Sequence, residues 1–292
     1  MAKVISFKVP KSPKEFIRFQ EDRAGYFYDR LHQHPLLQLT VILEGKGQFL
    51  SGDYVGRFQA GDVFFLGENA PHVFRSDPEF FDSSTTLWSI GHTIFFDFEA
   101  LGKAIEEVDE FQSLKKFRDF EGLCFQLIGN STDLVKATVA QFAQSEGLER
   151  LQVAIHLLSI LNQVESELIQ LNGSIVMHGL TEKDGSRMNR VMQFLLDNRL
   201  QKVTLDEAAS TANLSKEAFC RYFKLRTRKT FSQYVNQLRI NEAQKLLQET
   251  DMGISEIAFH VGYENLSYFN RIFKSIVGIP PGKFRKITIL YV

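Results

Sequence analysis

One pattern is written twice in the last hundred residues of this chain, and that repeat constrains the fold more than any other feature. The first copy runs Leu205-Asp206-Glu207-Ala208-Ala209, then Ala212-Asn213-Leu214-Ser215, then Phe219, then Arg221-Tyr222-Phe223-Lys224. The second runs Ile254-Ser255-Glu256-Ile257-Ala258, then Val261-Gly262-Tyr263, then Tyr268-Phe269, then Arg271-Ile272-Phe273-Lys274. Asn213 aligns with Gly262 at a spacing of 49 and Arg221 with Arg271 at a spacing of 50, so one extra residue is expected inside the second basic segment. Each copy reads as a short helix with an Ala at a close helix crossing, then a turn residue that tolerates left-handed backbone. A second helix follows with a basic, aromatic-backed face. That is the layout of a helix-turn-helix, and two of them suit a module that meets two major-groove segments.

A net charge of −1 looks unsuited to a polyanion, but the charges are sorted along the chain. Residues 186–292 carry 17 lysines and arginines against 9 aspartates and glutamates, a net of +8; residues 1–185 carry 17 against 26, a net of −9. The basic part coincides with the repeat and is the part that attracts phosphates. A length of 292 residues leaves room for two domains. The 27 phenylalanines point to a large aromatic core rather than disorder. No apolar run reaches the length of a membrane span, and Met1-Ala2-Lys3-Val4 opens no signal-peptide stretch, so a cytoplasmic protein with no membrane partner is expected. Cys124 and Cys220 lack metal-site spacing and read as inert thiols of a reducing compartment.

Residues from about Phe27 to Thr93 read as short strands. Leu36–Leu43 is an apolar, β-branched run closed by Glu44-Gly45-Lys46-Gly47; Val63–Leu66 lies between Gly61-Asp62 and the turn Gly67–His72. Thr85–Phe98 reads as two further strands around Gly91. This spacing predicts a small β-barrel or sandwich. After Glu99 the pattern turns helical. Leu151, Ile155, Leu158, Leu161, Val164, Leu168 and Leu171 predict one apolar stripe on a helix over 146–171, packed on the barrel or forming a dimer contact. Breaks at 172–186 predict a linker between domains at 1–171 and 187–292. Met188, Val191, Met192, Leu195 and Leu196 open the second domain as a helix. Thr204 and Glu207 form a capping box, Ser215 is a second N-cap, and a long helix over 231–249 joins the two copies. The fold class expected is α+β: a barrel followed by helices, then an all-α domain.

The run Ile257-Ala258, Val261-Gly262-Tyr263, Ser267-Tyr268-Phe269, Arg271, Phe273-Lys274, Gly278, Pro280-Pro281, Phe284-Arg285 strongly resembles the signature of the AraC/XylS family of bacterial transcription regulators. The resemblance covers about Arg187 to Lys286. It implies a seven-helix domain with two helix-turn-helix units on one long connecting helix. It also implies double-stranded promoter DNA as partner, a homodimer, RNA polymerase as a partner if the protein activates, and no enzymatic activity. By motif position it implies base contacts from Glu217, Cys220, Arg221, Asn265, Ser267, Asn270 and Arg271. The residues alone put Lys216, Glu217, Cys220 and Arg221 on the outer face of the first reading helix. Asn265, Ser267, Asn270 and Arg271 take the same place on the second. Phe219, Tyr222, Phe223, Tyr268, Phe269, Ile272 and Phe273 are expected to face inward. An arginine fork matches guanine O6 and N7, and an asparagine amide matches adenine. Lys224, Lys274 and Arg285 are candidates for phosphate contact.

In the first half, the order His32-x-His34, Gln38, Gly61-Asp62, Pro71-His72 resembles a cupin, the barrel fused to many regulators of this type. Metal-binding cupins hold an ion with two histidines, a carboxylate and a later histidine. His32, His34 and His72 match, but Gln38 stands in the place of the carboxylate and Gly67-Glu68-Asn69 replaces the usual Pro-x-Gly. A neutral amide is a poorer ligand for a divalent ion. No metal and no cofactor is therefore assigned, and the three histidines remain weak candidates for one. A small-molecule effector in the barrel mouth, held by His32, His34, Gln38 and His72 with Phe64 or Trp88, is the expected occupant. The alternatives are a metal-dependent cupin enzyme with a DNA-binding appendage and a regulator with no ligand.

Overall fold

The computed structural model of the chain describes residues 16–101, 107–173, 182–201 and 203–289. The chain divides into two compact units, Met1–Lys183 and Asp184–Val292.

The first unit is built on two antiparallel sheets. The larger has the strand order β1-β7-β2-β5-β8-β9 and the smaller β4-β3-β6. The strands are β1 (Ile17–Ala24), β2 (Leu37–Glu44), β3 (Gly47–Ser51), β4 (Tyr54–Phe58), β5 (Val63–Leu66), β6 (His72–Ser76), β7 (Ser89–Phe96), β8 (Cys124–Leu127) and β9 (Leu168–Gln170). Side chains alternate across a strand, so β2 sends Leu37, Leu39 and Val41 to one face and Gln38, Thr40 and Ile42 to the other. The first set packs under helices α1 (Thr132–Gln144) and α2 (Gly147–Gln163), with Val135, Val139, Phe142, Leu157 and Leu161 in one core. The second set faces the smaller sheet. There Phe49, Phe58, Phe64 and Phe74 fill the space between sheets, Phe49 and Phe74 stacking at 4.5 Å. Each such ring contributes roughly 1.5–3 kcal/mol by leaving water.

Several expectations need correction here. Thr85–Phe98 forms the single strand β7, with Gly91 paired inside it opposite Asp22 and Ile42. The region after Glu99 is not all helical, because β8 completes the large sheet at Phe64–Leu66. The helix expected over 146–171 ends at Gln163; Leu168 belongs to β9, paired with Leu127. Within α2 the inward face is Val153, Ala154, Leu157, Leu158, Ile160 and Leu161, whereas Leu151 and Ile155 are exposed. The apolar arc of this helix is wider than its packed side, taking in exposed Leu148, Leu151 and Ile155, so periodicity does not mark which part packs. Glu167 explains the break: its carboxylate accepts from the Ser131 N–H at 3.0 Å and the Ser131 hydroxyl at 2.9 Å, drawing the chain back across the sheet edge. Of the expected linker, Asn172 is buried, accepting from the Cys124 N–H (2.7 Å) and donating to the Gly122 carbonyl (2.9 Å). Glu182–Ser186 already lie in a helix, and 174–181 fall outside the described residues.

The second unit holds seven helices among its described residues: α3 (Glu182–Asp197), α4 (Leu205–Thr211), α5 (Lys216–Thr227), α6 (Phe231–Glu249), α7 (Ile254–His260), α8 (Leu266–Val277) and α9 (Pro281–Ile289). Met188, Val191, Met192, Leu195 and Leu196 are all buried on α3. The long helix α6 has the bounds predicted from sequence. It starts on a capping box in which the Thr230 hydroxyl accepts from the Gln233 N–H (3.2 Å) and Gln233 accepts from the Thr230 N–H (2.9 Å). The predicted box at Thr204 and Glu207 is also formed. Ala208, Ala209 and Ala258 are fully buried where short helices cross. A buried ion pair, Arg199 with Glu242 at 3.4 Å, fastens the end of α3 to α6.

Candidate nucleic-acid interface and ligand pocket

In both copies the turn residue takes up left-handed backbone, with φ of 53° at Asn213 and 88° at Gly262. Only glycine does so without strain, and asparagine tolerates it. In the second copy a side chain would be strained by this backbone, and its Cβ would stand 3.0 Å from the Arg239 guanidinium carbon, which would have to give way. The extra residue of the second copy lies in this turn rather than inside the reading helix, since α5 and α8 are equally long at 12 residues. Ser215 caps α5 by accepting from the Ala218 N–H (3.2 Å), and Asn265 caps α8 by accepting from the Tyr268 N–H (2.8 Å).

On α5, Glu217, Cys220, Arg221 and Lys224 recur at steps of three and four and are all exposed, beside exposed Lys216. On α8, Ser267, Asn270, Arg271 and Lys274 form the matching exposed row, headed by Asn265. Opposite these rows Phe219 and Phe223, and Phe269 and Phe273, are buried completely. Aromatic residues one turn apart thus hold each helix down and present its polar row outward. Lys216 Nζ lies 2.7 Å from Asp206 Oδ1, so part of its charge is satisfied locally. The Glu217 carboxyl is held below its usual range, first by its own backbone N–H and then by Ser215, so it is an anion at neutral pH. Two inward assignments fail. Tyr268 is 40 % exposed and stacks under Arg271, while Tyr222 is half-buried between Arg187 and Arg226. Arg285, a candidate for phosphate contact, donates to the Leu247 and Met252 carbonyls (3.3 and 2.6 Å) and ties α9 to the turn after α6.

In the first unit, register lines polar side chains up across three strands. Gln20 on β1 pairs with Thr93 on β7, Thr93 with Thr40 on β2, and Phe95 with Gln38. With Asp22, Tyr28 and Phe27 they line a chamber of about 60 Å³ that also takes in His32, His34 and His72. A short bridge between His32 and His72 forms part of its wall, with backbone hydrogen bonds of 3.1 and 2.8 Å. The Nδ1 of each histidine sits against a backbone carbonyl: Arg30 for His32 (2.8 Å), Leu36 for His34 (3.0 Å) and Ala70 for His72 (2.8 Å). His34 Nε2 lies 2.8 Å from the Gln38 amide, which reaches on to Thr40 Oγ1 (2.8 Å). His72 Nε2 is buried with no hydrogen-bond partner among the described residues. Burial holds all three rings below the ordinary histidine range, His32 down to about 4, so they are neutral at pH 7. One ring nitrogen from each lies within 4.8 Å of the others. Neutral imidazoles are the donors an ion such as zinc takes, and Gln38, whose Oε1 lies against His34 Nε2, stands in place of the negative ligand.

Two family profiles match the chain. That described as AraC-like ligand binding domain matches residues 14–89, and that described as helix-turn-helix domain matches residues 208–287. The chain belongs to the AraC family of transcriptional regulators. Among its relatives, the transcriptional activator RhaS of Escherichia coli O157:H7 is 28% identical over 255 residues, 87% of this chain and 87% of that protein. The activator RhaR of Enterobacter sp. (strain 638) is 24% identical over 256 residues, 87% of this chain and 86% of RhaR. The uncharacterised regulator YdeC of Bacillus subtilis is 23% identical over 262 residues, 89% of this chain and 87% of YdeC. This AraC-family chain is thus a DNA-binding transcriptional regulator with a cupin-like ligand-binding unit ahead of its helix-turn-helix unit. No described helix is long and apolar enough to cross a membrane.

Within this AraC-type frame the structure brings His32, His34, Gln38 and His72 together and separates Phe64 and Trp88 from them. Phe64 is buried in the aromatic layer between sheets, and Trp88 is 46 % exposed with Arg23 over its ring at 5.5 Å. The aromatic walls of the chamber are Phe27, Tyr28, Phe74 and Phe95. Thr40 and Thr93 were missed in sequence, although the polar-apolar alternation Gln38-Leu39-Thr40 marks Thr40 as sharing the Gln38 face. Cys220 is exposed on the polar row of α5, and Cys124 is buried with its thiol pushed up to about 12 by burial. His178 falls outside the described residues.

Proposed function

We propose that the chain reads a promoter in the bacterial cytoplasm through two successive major-groove contacts. α5 supplies Glu217, Cys220 and Arg221, and α8 supplies Asn265, Ser267, Asn270 and Arg271. Lys216, Lys224 and Lys274 add contact to the backbone phosphates. The observation that carries this reading is the pair of exposed polar rows at helical spacing, each backed by two buried phenylalanines, at matched places in both copies. Two such monomers paired through the first unit would present four reading helices, and contact with RNA polymerase would follow if the protein activates.

The chamber in the first unit is the effector site. Its volume of about 60 Å³ is well below the roughly 300–1,000 Å³ of pockets for drug-sized ligands. It suits an occupant of a few heavy atoms, and anything larger requires the segment Phe27–His32 to move outward. The convergent histidine nitrogens favour a second reading for the same chamber, a divalent transition-metal ion as effector, held by His32, His34 and His72 with Gln38 beside them. Bound metal would supply charge and fix the His32–His72 bridge.

The decisive measurement uses duplexes recovered by the full-length chain from a random-sequence library. Arg221→Ala and Arg271→Ala should each weaken preference for the recovered site by about tenfold, within the roughly 1–3 kcal/mol of a two-pronged base contact. Undiminished preference in either variant removes that residue from the reading. Titration of zinc into the protein decides the second reading: binding abolished in His72→Ala supports it, and no binding to the unaltered chain overturns it.

A further inference from the structure

The two reading arginines do not stand in equivalent surroundings. Beneath Arg271 lies the Tyr268 ring, its centroid 5.2 Å from the guanidinium carbon. Asn236, on the connecting helix α6, donates from Nδ2 to the Tyr268 hydroxyl at 3.3 Å. Asn236 Oδ1 in turn accepts from the Tyr263 hydroxyl at 3.0 Å. Tyr263 is buried and packs edge-on against Phe269, 5.3 Å away, in the core of the second helix-turn-helix. A continuous path therefore runs from a fixed core residue, through an amide on α6, to the surface under Arg271. At the corresponding place on α5, 50 residues earlier, stands Ala218, which offers no ring to Arg221. Among the described residues Arg271 makes no ion pair, so the stack is what restrains it.

We infer that Asn236 and Tyr268 are positioning residues for Arg271, holding its guanidinium ready for a base edge, so that the second helix-turn-helix discriminates bases more sharply than the first. A free arginine side chain samples many rotamers and loses that freedom on binding, whereas one already lying on an aromatic face loses less. The Tyr268 ring is 40 % exposed and meets the Tyr263 ring at 5.9 Å, so the hydrogen bond from Asn236 to its hydroxyl adds a second restraint on its tilt. Asn236 does so from a helix that belongs to neither reading segment. The sequence gives no sign of this role, since Asn236 touches neither reading face in a linear pattern.

This inference rests on Arg271 meeting a base, and the test separates the two claims. Full-length protein is measured on its recovered site and on the same duplex with single base changes across the second half. Asn236→Ala and Tyr268→Ala should each reduce discrimination at one base pair by about three- to fivefold, the scale of an exposed cation–π contact. Tyr268→Phe should lose less, because the ring stays. The dependence of affinity on salt should not change, since no phosphate contact is removed. In an Arg271→Ala background the same substitutions should cost nothing further. Unfolding by urea, matched to the unaltered chain, excludes a general loss of fold. The inference falls if Asn236→Ala and Tyr268→Ala discriminate as well as the unaltered chain, or if their losses persist in full without Arg271. If Arg271→Ala itself leaves base preference intact, the base contact and its positioning fall together.

Discussion

Single residues decide the chemistry of both units, and they do so through burial and backbone contacts that a linear reading shows only in part. The pairing of His32 and His34 with His72 was legible in sequence because cupin-like spacing brings them to one mouth. Their neutrality was not, because it depends on how deeply the fold buries the rings. The sign of the resulting pH dependence follows from that neutrality. His32 titrates near 6.5 when unfolded and near 4 when folded, so the unfolded chain binds more protons between those values. Stability is therefore full above about pH 6.5, is lost as pH falls through the interval, and levels off below about 4. At pH 5 His32 alone would cost on the order of 2 kcal/mol, with His34 and His72 acting in the same direction. Thermal unfolding of the first unit should move several degrees lower between pH 7 and pH 5. Replacing all three histidines with glutamine should flatten that dependence, and a transition that does not move with pH would refute it.

At the scale of elements, sequence reasoning succeeded where local chemistry is self-sufficient and failed where tertiary contacts rule. The bounds of α6 were legible because its ends carry their own signals and its apolar face is consistent along its length. The Asn213 and Gly262 turns were legible because few residues adopt that backbone. The overlong α2 was not, because its apolar spacing runs on past Gln163 into Leu168, whose strand β9 forms by pairing with β8. The same contrast predicts where a small change will be felt. Thr230 is exposed, and its hydroxyl takes the Gln233 N–H at the start of the helix on which both reading units hang. Thr230→Ala should lower the stability of the second unit by about 1 kcal/mol, and Thr230→Ser should restore most of it. Equilibrium urea unfolding measures both. Equal stability of the alanine variant would show that packing alone fixes the start of α6.

Across the whole molecule, a net charge of −1 hides two units of opposite character, and association with DNA depends on the local sign. The positive charges of the second unit are not interchangeable. Arg199 is buried against Glu242, Arg285 is spent on backbone carbonyls, and Lys216 is shared with Asp206. Lys224 and Lys274, exposed at the ends of the two polar rows, are placed for phosphates ahead of Lys216, whose charge Asp206 partly satisfies. Each phosphate contact releases condensed counterions, so log affinity falls with log salt at a slope of roughly −0.9 per contact. Lys224→Gln and Lys274→Gln should each make the slope shallower by about one, weaken all sequences nearly alike, and leave base preference as it was. Arg271→Ala should do the reverse at one base pair. Binding of full-length protein between roughly 50 and 200 mM salt, on recovered and scrambled duplexes, distinguishes these behaviours. If the lysine variants kept the full slope, the phosphate contacts would have to come from other cations of the second unit, and the placement of the two rows against the groove would need to be redrawn.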